Sequence, residues 1–251
     1  MNYFLSKVKS VASSFVACGS LAAEPTFRDL SDKIVLAHKG FFNKECKDFY
    51  KENSIEVCRI AGLTDYISII ELDLRKSKDG IVYCHHGSFF EYYFTLKFSK
   101  PFSFMRRKYG AASLQELLEV IPESKTVFLD IKDKSIQRED IETVFFGKRF
   151  KEVILGNKSA SFLRRFDGLP EVFVKILNGN IFCNFYDLRK LKKEGFKYFE
   201  VVFPFQIRRR VIRSVEQNGL EFRCSGLFFT KRSYWRVVER YGVKHISSDF
   251  I

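Results

Sequence analysis

Between Ile67 and Gly87 the chain reads ISIIELDLRKSKDGIVYCHHG, with two carboxylates, Glu71 and Asp73, two residues apart and two imidazoles, His85 and His86, after an Asp79-Gly80 turn. The whole chain holds 4 histidines, so half of them fall here. Side chains alternate faces along a strand, which sends Glu71 and Asp73 one way and Ile70, Leu72 and Leu74 the other. The connection from Lys76 to Gly80 is too short for a parallel crossover, so the two arms are expected to pair as an antiparallel hairpin. A turn centred near Lys78 would set His85 opposite Glu71. Two acids and an imidazole on one patch are the groups of acid-base catalysis.

Comparable groups end other apolar runs: His38-Lys39-Gly40 after Ile34 to Ala37, Asp130-Ile131-Lys132 closing TVFLDIK, and Asp249 near the last residue. Three facing carboxylates, Glu71, Asp73 and Asp130, would repel one another unless a cation sat between them. An all-oxygen donor set suits one divalent ion, Mg²⁺ or Ca²⁺. Histidines beside such an ion suit general acid and base work, and Lys39 and Lys132 add positive charge for an anion. The combination points to displacement at phosphorus.

These groups need a scaffold that brings strand ends together. Strand-like runs at residues 34–38, 67–74, 126–132, 153–156, 172–177, 198–203, 220–226 and 245–249 alternate with helix-like segments. Asn53, with Glu56 three residues on, reads as the cap of one helix and Ser113, before Leu114, Leu117, Leu118 and Ile121, as the cap of another. Eight strand-then-helix repeats in a chain of 251 residues predict an α/β fold, a (β/α)8 TIM barrel, with the hairpin arm added after the second strand. Catalytic groups then belong at the C-terminal strand ends, where His38, Glu71, Asp73, Asp130, Lys132 and Asp249 all fall. The expected organisation is an N-terminal segment, 1–30, and one barrel domain, 31–251. Residues 1–30 read as an amphipathic helix or a weak targeting segment. The corresponding location is cytoplasmic or at a membrane surface, or secreted or periplasmic if residues 1–22 are a signal peptide.

With 43 Lys and Arg against 30 Asp and Glu, the net charge of +13 favours an anionic partner. The 6 cysteines form no C-x-x-C pair and read as buried free thiols. His245 reads as structural, and Arg208-Arg209-Arg210 as a solvated helix face with no nucleic-acid module beside it. From Ser88 to Gly110, 9 aromatics interleave with Lys97, Lys100, Arg106, Arg107 and Lys108. That stretch reads either as a lid touching a membrane surface, favouring a lipid substrate, or as short extra helices.

His38-Lys39-Gly40, Glu52-Asn53, Glu71-Leu72-Asp73, Lys78-Asp79-Gly80 followed by His85, Ser113 to Leu118, Asp130-Ile131-Lys132 and Ser248-Asp249 resemble, in order and spacing, the glycerophosphodiester phosphodiesterase family of the phospholipase C-like barrel superfamily. The resemblance covers residues 34 to 250. It implies a metal-dependent barrel that cleaves glycerophosphodiesters or lysophospholipids to an alcohol and glycerol 3-phosphate, through a cyclic phosphate. Glu71, Asp73 and Asp130 would hold the ion, and His38 and His85 would be the acid and base. Lys132 would be a phosphate or transition-state ligand, and Lys39 would contact phosphate with Glu52 in support. The sequence departs from the pattern at Lys39 for Arg, at Asp130 for Glu as in the sphingomyelinase D branch, at His86 for Asp and at Lys51 for Pro. Leu227-Phe228-Phe229-Thr230 stands where the family has Trp-Thr. Three other readings follow: a sphingomyelinase D-like phospholipase, a glycosidase using two carboxylates, and a non-catalytic binder of phosphorylated ligands.

Overall fold

Short runs rich in Val, Ile, Leu and Phe make strands where both faces can be buried, and the chain uses them that way. A computed structural model describes residues 30–41, 48–87, 91, 100–178, 187–201, 207–225 and 230–250. Its strands are β1 (Ile34–Ala37), β2 (Ile67–Lys76), β3 (Val82–Cys84), β4 (Ala112–Ser113), β5 (Thr126–Ile131), β6 (Glu152–Asn157), β7 (Phe173–Leu177), β8 (Phe196–Val201), β9 (Glu221–Cys224) and β10 (His245–Ser247). Eight of them follow the order β1-β10-β9-β8-β7-β6-β5-β2, and β1 also pairs with β2, which closes the ring. Every pair in the ring is parallel. The eight strands expected from the sequence are the eight of this barrel.

The connecting helices include α1 (Ile55–Leu63), α2 (Phe102–Tyr109), α3 (Leu114–Val120), α4 (Arg138–Phe145), α5 (Ala160–Leu163), α6 (Leu188–Lys193), α7 (Arg209–Gln217) and α8 (Lys231–Tyr241). Ser113 caps α3 as expected: its Oγ accepts from the Glu116 amide at 3.2 Å while the Glu116 carboxylate accepts from the Ser113 amide at 2.9 Å. At α1 the expectation is corrected, because the cap is Ser54, whose Oγ accepts from the Val57 amide. Asn53 is diverted to another task described below.

Apolar side chains separate into two main cores. Outward residues of the ring, such as Leu72, Leu74, Leu129 and Leu155, pack against the helices. Inward residues Leu36, Ile69, Phe128, Ile154, Ile176 and Tyr198 fill the barrel itself. Gly156 is part of that fit: a Cβ there would lie 2.3 Å from the Phe128 ring. This interior plug is the floor on which the polar mouth rests.

β3 pairs antiparallel with β2, outside the ring, and β4 pairs with β3. The register differs from the expected one. Leu74 faces Cys84, because the turn runs from Ser77 to Ile81 and centres on Asp79, closed by Gly80 N to Ser77 O and Ser77 N to Ile81 O at 3.0 Å each. Gly80 takes φ +84° in that turn, a left-handed conformation that costs glycine little. The His85 amide therefore bonds the carbonyl of Asp73, at 3.0 Å, and Glu71 is not its partner. The end of the aromatic stretch folds as α2, whose Met105 packs with Tyr83 and Ala111 and brings Phe102, Phe104 and Tyr109 alongside.

Residues 1–29 of the N-terminal segment, 88–90 and 92–99 of the aromatic stretch, and 226–229 lie outside the described residues. Among the described residues no helix is long and apolar enough to cross a membrane, and Cys58, Cys84 and Cys224 are buried free thiols.

Candidate active site

Strand periodicity builds the mouth. Glu71 and Asp73 lie two and four residues beyond Ile69 on β2, and Asp130 lies two beyond Phe128 on β5, so all three follow interior residues on the same face. The register sets Asp73 directly beside Asp130. One oxygen from each of Glu71, Asp73 and Asp130 can be chosen so that all lie within 4.8 Å of one another. Two unit charges at that separation, at an effective dielectric of about 20, repel by roughly 3 kcal/mol. Burial raises the Glu71 pKa to about 7, and the Asp73 carboxylate adds to the rise against the opposing pull of His38.

Lys132 answers part of this charge. Its Nζ bonds Asp130 Oδ2 and lies 3.1 Å from Asp73 Oδ1. Burial would push its pKa down, but the carboxylates of Asp130, Asp73 and Glu71 prevail and raise it. Asp73 moves the other way: burial alone would raise it, yet Lys132, His86 and the hydrogen bond from Asn53 hold it below the usual carboxylate value. One lysine balances one of three acids. Asp73 Oδ1 is buried and, despite that nearby ammonium, accepts no hydrogen bond. An orphaned carboxylate oxygen in an all-oxygen set fits a hard divalent cation, so Glu71, Asp73 and Asp130 could hold one metal ion.

Two strained backbone positions lock the acids in place. Lys39 and Asn53 both have φ +56°, a region that costs an ordinary L-residue about 1–2 kcal/mol. The Lys39 turn aims its amide at Glu71 Oε2, at 2.6 Å, and its Nζ reaches Glu52 Oε2 at 3.1 Å. Asn53 donates its amide to the Lys39 carbonyl at 2.9 Å. Its side chain grips Asp73 twice, Nδ2 donating to Oδ2 and Oδ1 accepting from the Asp73 amide, each at 3.1 Å. Gly40, at φ +81°, completes the turn where a Cβ would lie 2.8 Å from Val57 Cγ1.

His38 Nδ1 lies 2.6 Å from Asp249 Oδ2, which leaves Nε2 toward Glu71 Oε2 at 3.8 Å. Burial would lower its pKa, but Glu71 and the Asp249 hydrogen bond raise it to about 9. His85, expected in the site, stacks its ring on Tyr109 at 4.8 Å, with Nε2 3.9 Å from Glu91 without a hydrogen bond; burial lowers its pKa against the pull of Glu91 and Glu52. Burial lowers the His86 pKa against the pull of Asp73, and Lys39 and Lys132 lower it further, so His86 lies within electrostatic reach of the acids. Arg75 fixes this arrangement by donating to the carbonyls of His85 and His86 at 2.9 and 2.8 Å. His245 sits at the opposite end of the barrel against Glu221, at 3.0 Å.

The mouth thus gathers His38, Lys39, Glu52, Glu71, Asp73, Asp130 and Lys132, and sets His85 at its edge. It also holds residues to which sequence reasoning gave no specific chemical task. Asn53 carried the signal of its place after Glu52, and Asp249 that of a strand-end acid. Glu200 breaks an apolar run, FEVV, as Glu71 does in IIELDL. Asn178 donates to Asp130 Oδ1 at 3.0 Å and had no such signal.

No protein-family model matches the sequence, and no curated protein matches it by sequence. Comparison of structures does find relatives of the fold. A glycerophosphodiester phosphodiesterase from Thermotoga maritima superposes with a TM-score of 0.61 at 21% identity, over 87% of this chain and 95% of the other. An Oleispira antarctica phosphodiesterase in complex with the product sn-glycerol-3-phosphate gives 0.66 at 14%, over 86% and 92%. A glycerophosphodiester phosphodiesterase from Agrobacterium tumefaciens gives 0.64 at 17%, over 86% and 97%. The scaffold that carries this site is therefore a TIM barrel with the fold of the solved glycerophosphodiester phosphodiesterases.

Proposed function

We propose that the chain is a metal-dependent phosphodiester hydrolase acting on glycerophosphodiesters or lysophospholipids, releasing an alcohol and glycerol 3-phosphate or, from a lysophospholipid, its acyl ester. The observation that carries the reading is the convergence of three carboxylates, Lys132 and the His38 imidazole on the C-terminal mouth of the barrel. The Oleispira neighbour with sn-glycerol-3-phosphate bound supports a small phosphodiester as the substrate.

Glu71, Asp73 and Asp130 would hold one Mg²⁺ or Ca²⁺, which when bound supplies a Lewis acid for the phosphoryl oxygens. Lys132 and Lys39 bring positive charge to the non-bridging oxygens. Asp249 fixes the tautomer of His38, so its Nε2 is the nitrogen free to exchange a proton. His86 is the second imidazole of the pair, in place of His85. A substrate hydroxyl attacks phosphorus and gives its proton to one imidazole while the other protonates the departing alkoxide. Water then opens the cyclic phosphate with the roles exchanged.

Release of glycerol 3-phosphate from glycerophosphocholine, and of lysophosphatidate from lysophosphatidylcholine, with and without EDTA, tests the reading. Turnover should vanish with chelation and return with Mg²⁺ or Ca²⁺. His86→Ala should lose about 100-fold or more in kcat, the span of a general acid or base, and His85→Ala should lose far less. Metal-independent turnover defeats the mechanism, and a His85→Ala loss equal to that of His86→Ala defeats the assignment. No turnover on any diester leaves a binder of phosphorylated ligands.

A further inference from the structure

Three buried polar side chains stand beside the acids without belonging to their cluster. Asn178 follows β7 directly, Glu200 lies in β8 and Arg223 in β9. Leu177 pairs with Phe199, and Glu200 with Arg223, so the three occupy one row across adjacent strands. Ile176 and Tyr198, two residues earlier, fill the barrel interior, and alternation turns Asn178 and Glu200 inward above them. The Arg223 guanidinium lies 4.6 Å from the Phe128 ring centroid, and its Nε lies 3.6 Å from Glu200 Oε1.

All three are nine-tenths buried or more, at 6%, 6% and 3% exposure. Yet Asn178 Oδ1 and Arg223 Nη1 make no hydrogen bond. Each orphan leaves its lost hydration uncompensated, which a ligand with the complementary groups would recover. Asn178 Nδ2 donates to Asp130 Oδ1 at 3.0 Å, so the row adjoins the mouth that receives the phosphoryl group.

The chemistry of the row selects its ligand. Glu200 and Arg223 cancel, so an ionic headgroup gains no net attraction. One carboxylate and one amide oxygen accept, and one guanidinium N–H donates. Neighbouring hydroxyls, each donor and acceptor at once, satisfy that set, whereas an acyl chain would leave it unpaired. We propose that Asn178, Glu200 and Arg223 form a polyol subsite that sets specificity by binding hydroxyl groups of the diester. This inference rests on the phosphodiesterase reading above. The hydroxyls belong to the retained glycerol or to the departing alcohol.

Calorimetric titration of the metal-loaded protein with sn-glycerol 3-phosphate, inositol 1-phosphate and ethyl phosphate reads the subsite without catalysis. The wild type should prefer a polyol phosphate over ethyl phosphate by about tenfold or more. Exchanging Glu200 and Arg223 together for Met removes the pair without stranding a buried charge, and should reduce the preference to about twofold or less. Arg223→Lys, which keeps the charge but lacks the fork, serves if the double variant does not fold. Turnover then separates the sources. A kcat/KM loss on glycerophosphocholine places the retained glycerol in the row, and a loss confined to glycerophosphoinositol places the departing alcohol there. Equal binding of ethyl phosphate by the wild type, or equal weakening of all three ligands in the variants, overturns the subsite. A polyol preference without turnover on any diester upholds it and overturns the hydrolase reading instead.

Discussion

Asn53 offers a direct test of how the site is held, because one side chain there combines a strained backbone with a double grip on Asp73. It is 1% exposed and sits at φ +56°. Its Nδ2 donates to the Asp73 carboxylate and its Oδ1 accepts from the Asp73 amide. A hydrogen bond to a charged group contributes about 1.5–3 kcal/mol and one between neutral groups about 1, so Asn53→Gly should cost about 3 kcal/mol. Asn53→Ala loses the same bonds and must also hold a Cβ in the left-handed region, adding about 1 kcal/mol. Urea denaturation with a constant m-value measures both. The expected order is wild type, then glycine, then alanine. A glycine variant as stable as the wild type would refute the grip on Asp73, and equal glycine and alanine variants would refute the strain.

Two further outcomes follow from the barrel away from the mouth. Gly156→Ala would push a methyl to 2.3 Å from the Phe128 ring, an overpacking that should cost about 1–3 kcal/mol. Combining it with Phe128→Leu should recover part of that loss in thermal melts, and no recovery would place the constraint elsewhere. His245 has its pKa lowered, by burial first and then by Arg223, although Glu221 pulls it up and Lys197 pulls it down. Its folded pKa lies below the unfolded value, so the unfolded chain takes the proton first as pH falls through about 6.5. The wild type should therefore lose stability between neutral and mildly acid pH relative to His245→Gln, as read by denaturation at fixed ionic strength. Parallel pH curves for the two would show that His245 does not titrate differently on folding.

Much of this architecture was legible in the chain for a simple reason. Eight apolar runs of strand length, each followed by a helix, match the repeat of a closed parallel ring, which buries both faces of every strand. The polar residues that interrupt those runs near their ends, Glu71 and Asp73 in β2 and Asp130 in β5, were equally visible, since a carboxylate in an apolar strand needs a partner. Asn53 was misread because Asn is at once a good helix cap and a residue that tolerates positive φ. Only the tertiary demand of Asp73 decides between the two. The row of Asn178, Glu200 and Arg223 was hidden for another reason. Each lies on or directly after a different strand, and the pairing that unites them is set by barrel register, which no local pattern records.

The choice between His85 and His86 shows how far strand alternation can be carried. Alternation along the return arm would place His85 on the face of Asp73, and its amide does bond the Asp73 carbonyl. The ladder ends at Cys84, however. Beyond it the backbone is governed by Arg75, which binds two consecutive carbonyls, His85 and His86. Two successive carbonyls converging on one guanidinium cannot alternate as they do in a pleat. The chain therefore turns, and the His85 ring stacks on Tyr109. Arg75 is thus a positioning residue: Arg75→Met should release both carbonyls and weaken turnover through His86, while leaving the acids themselves in register.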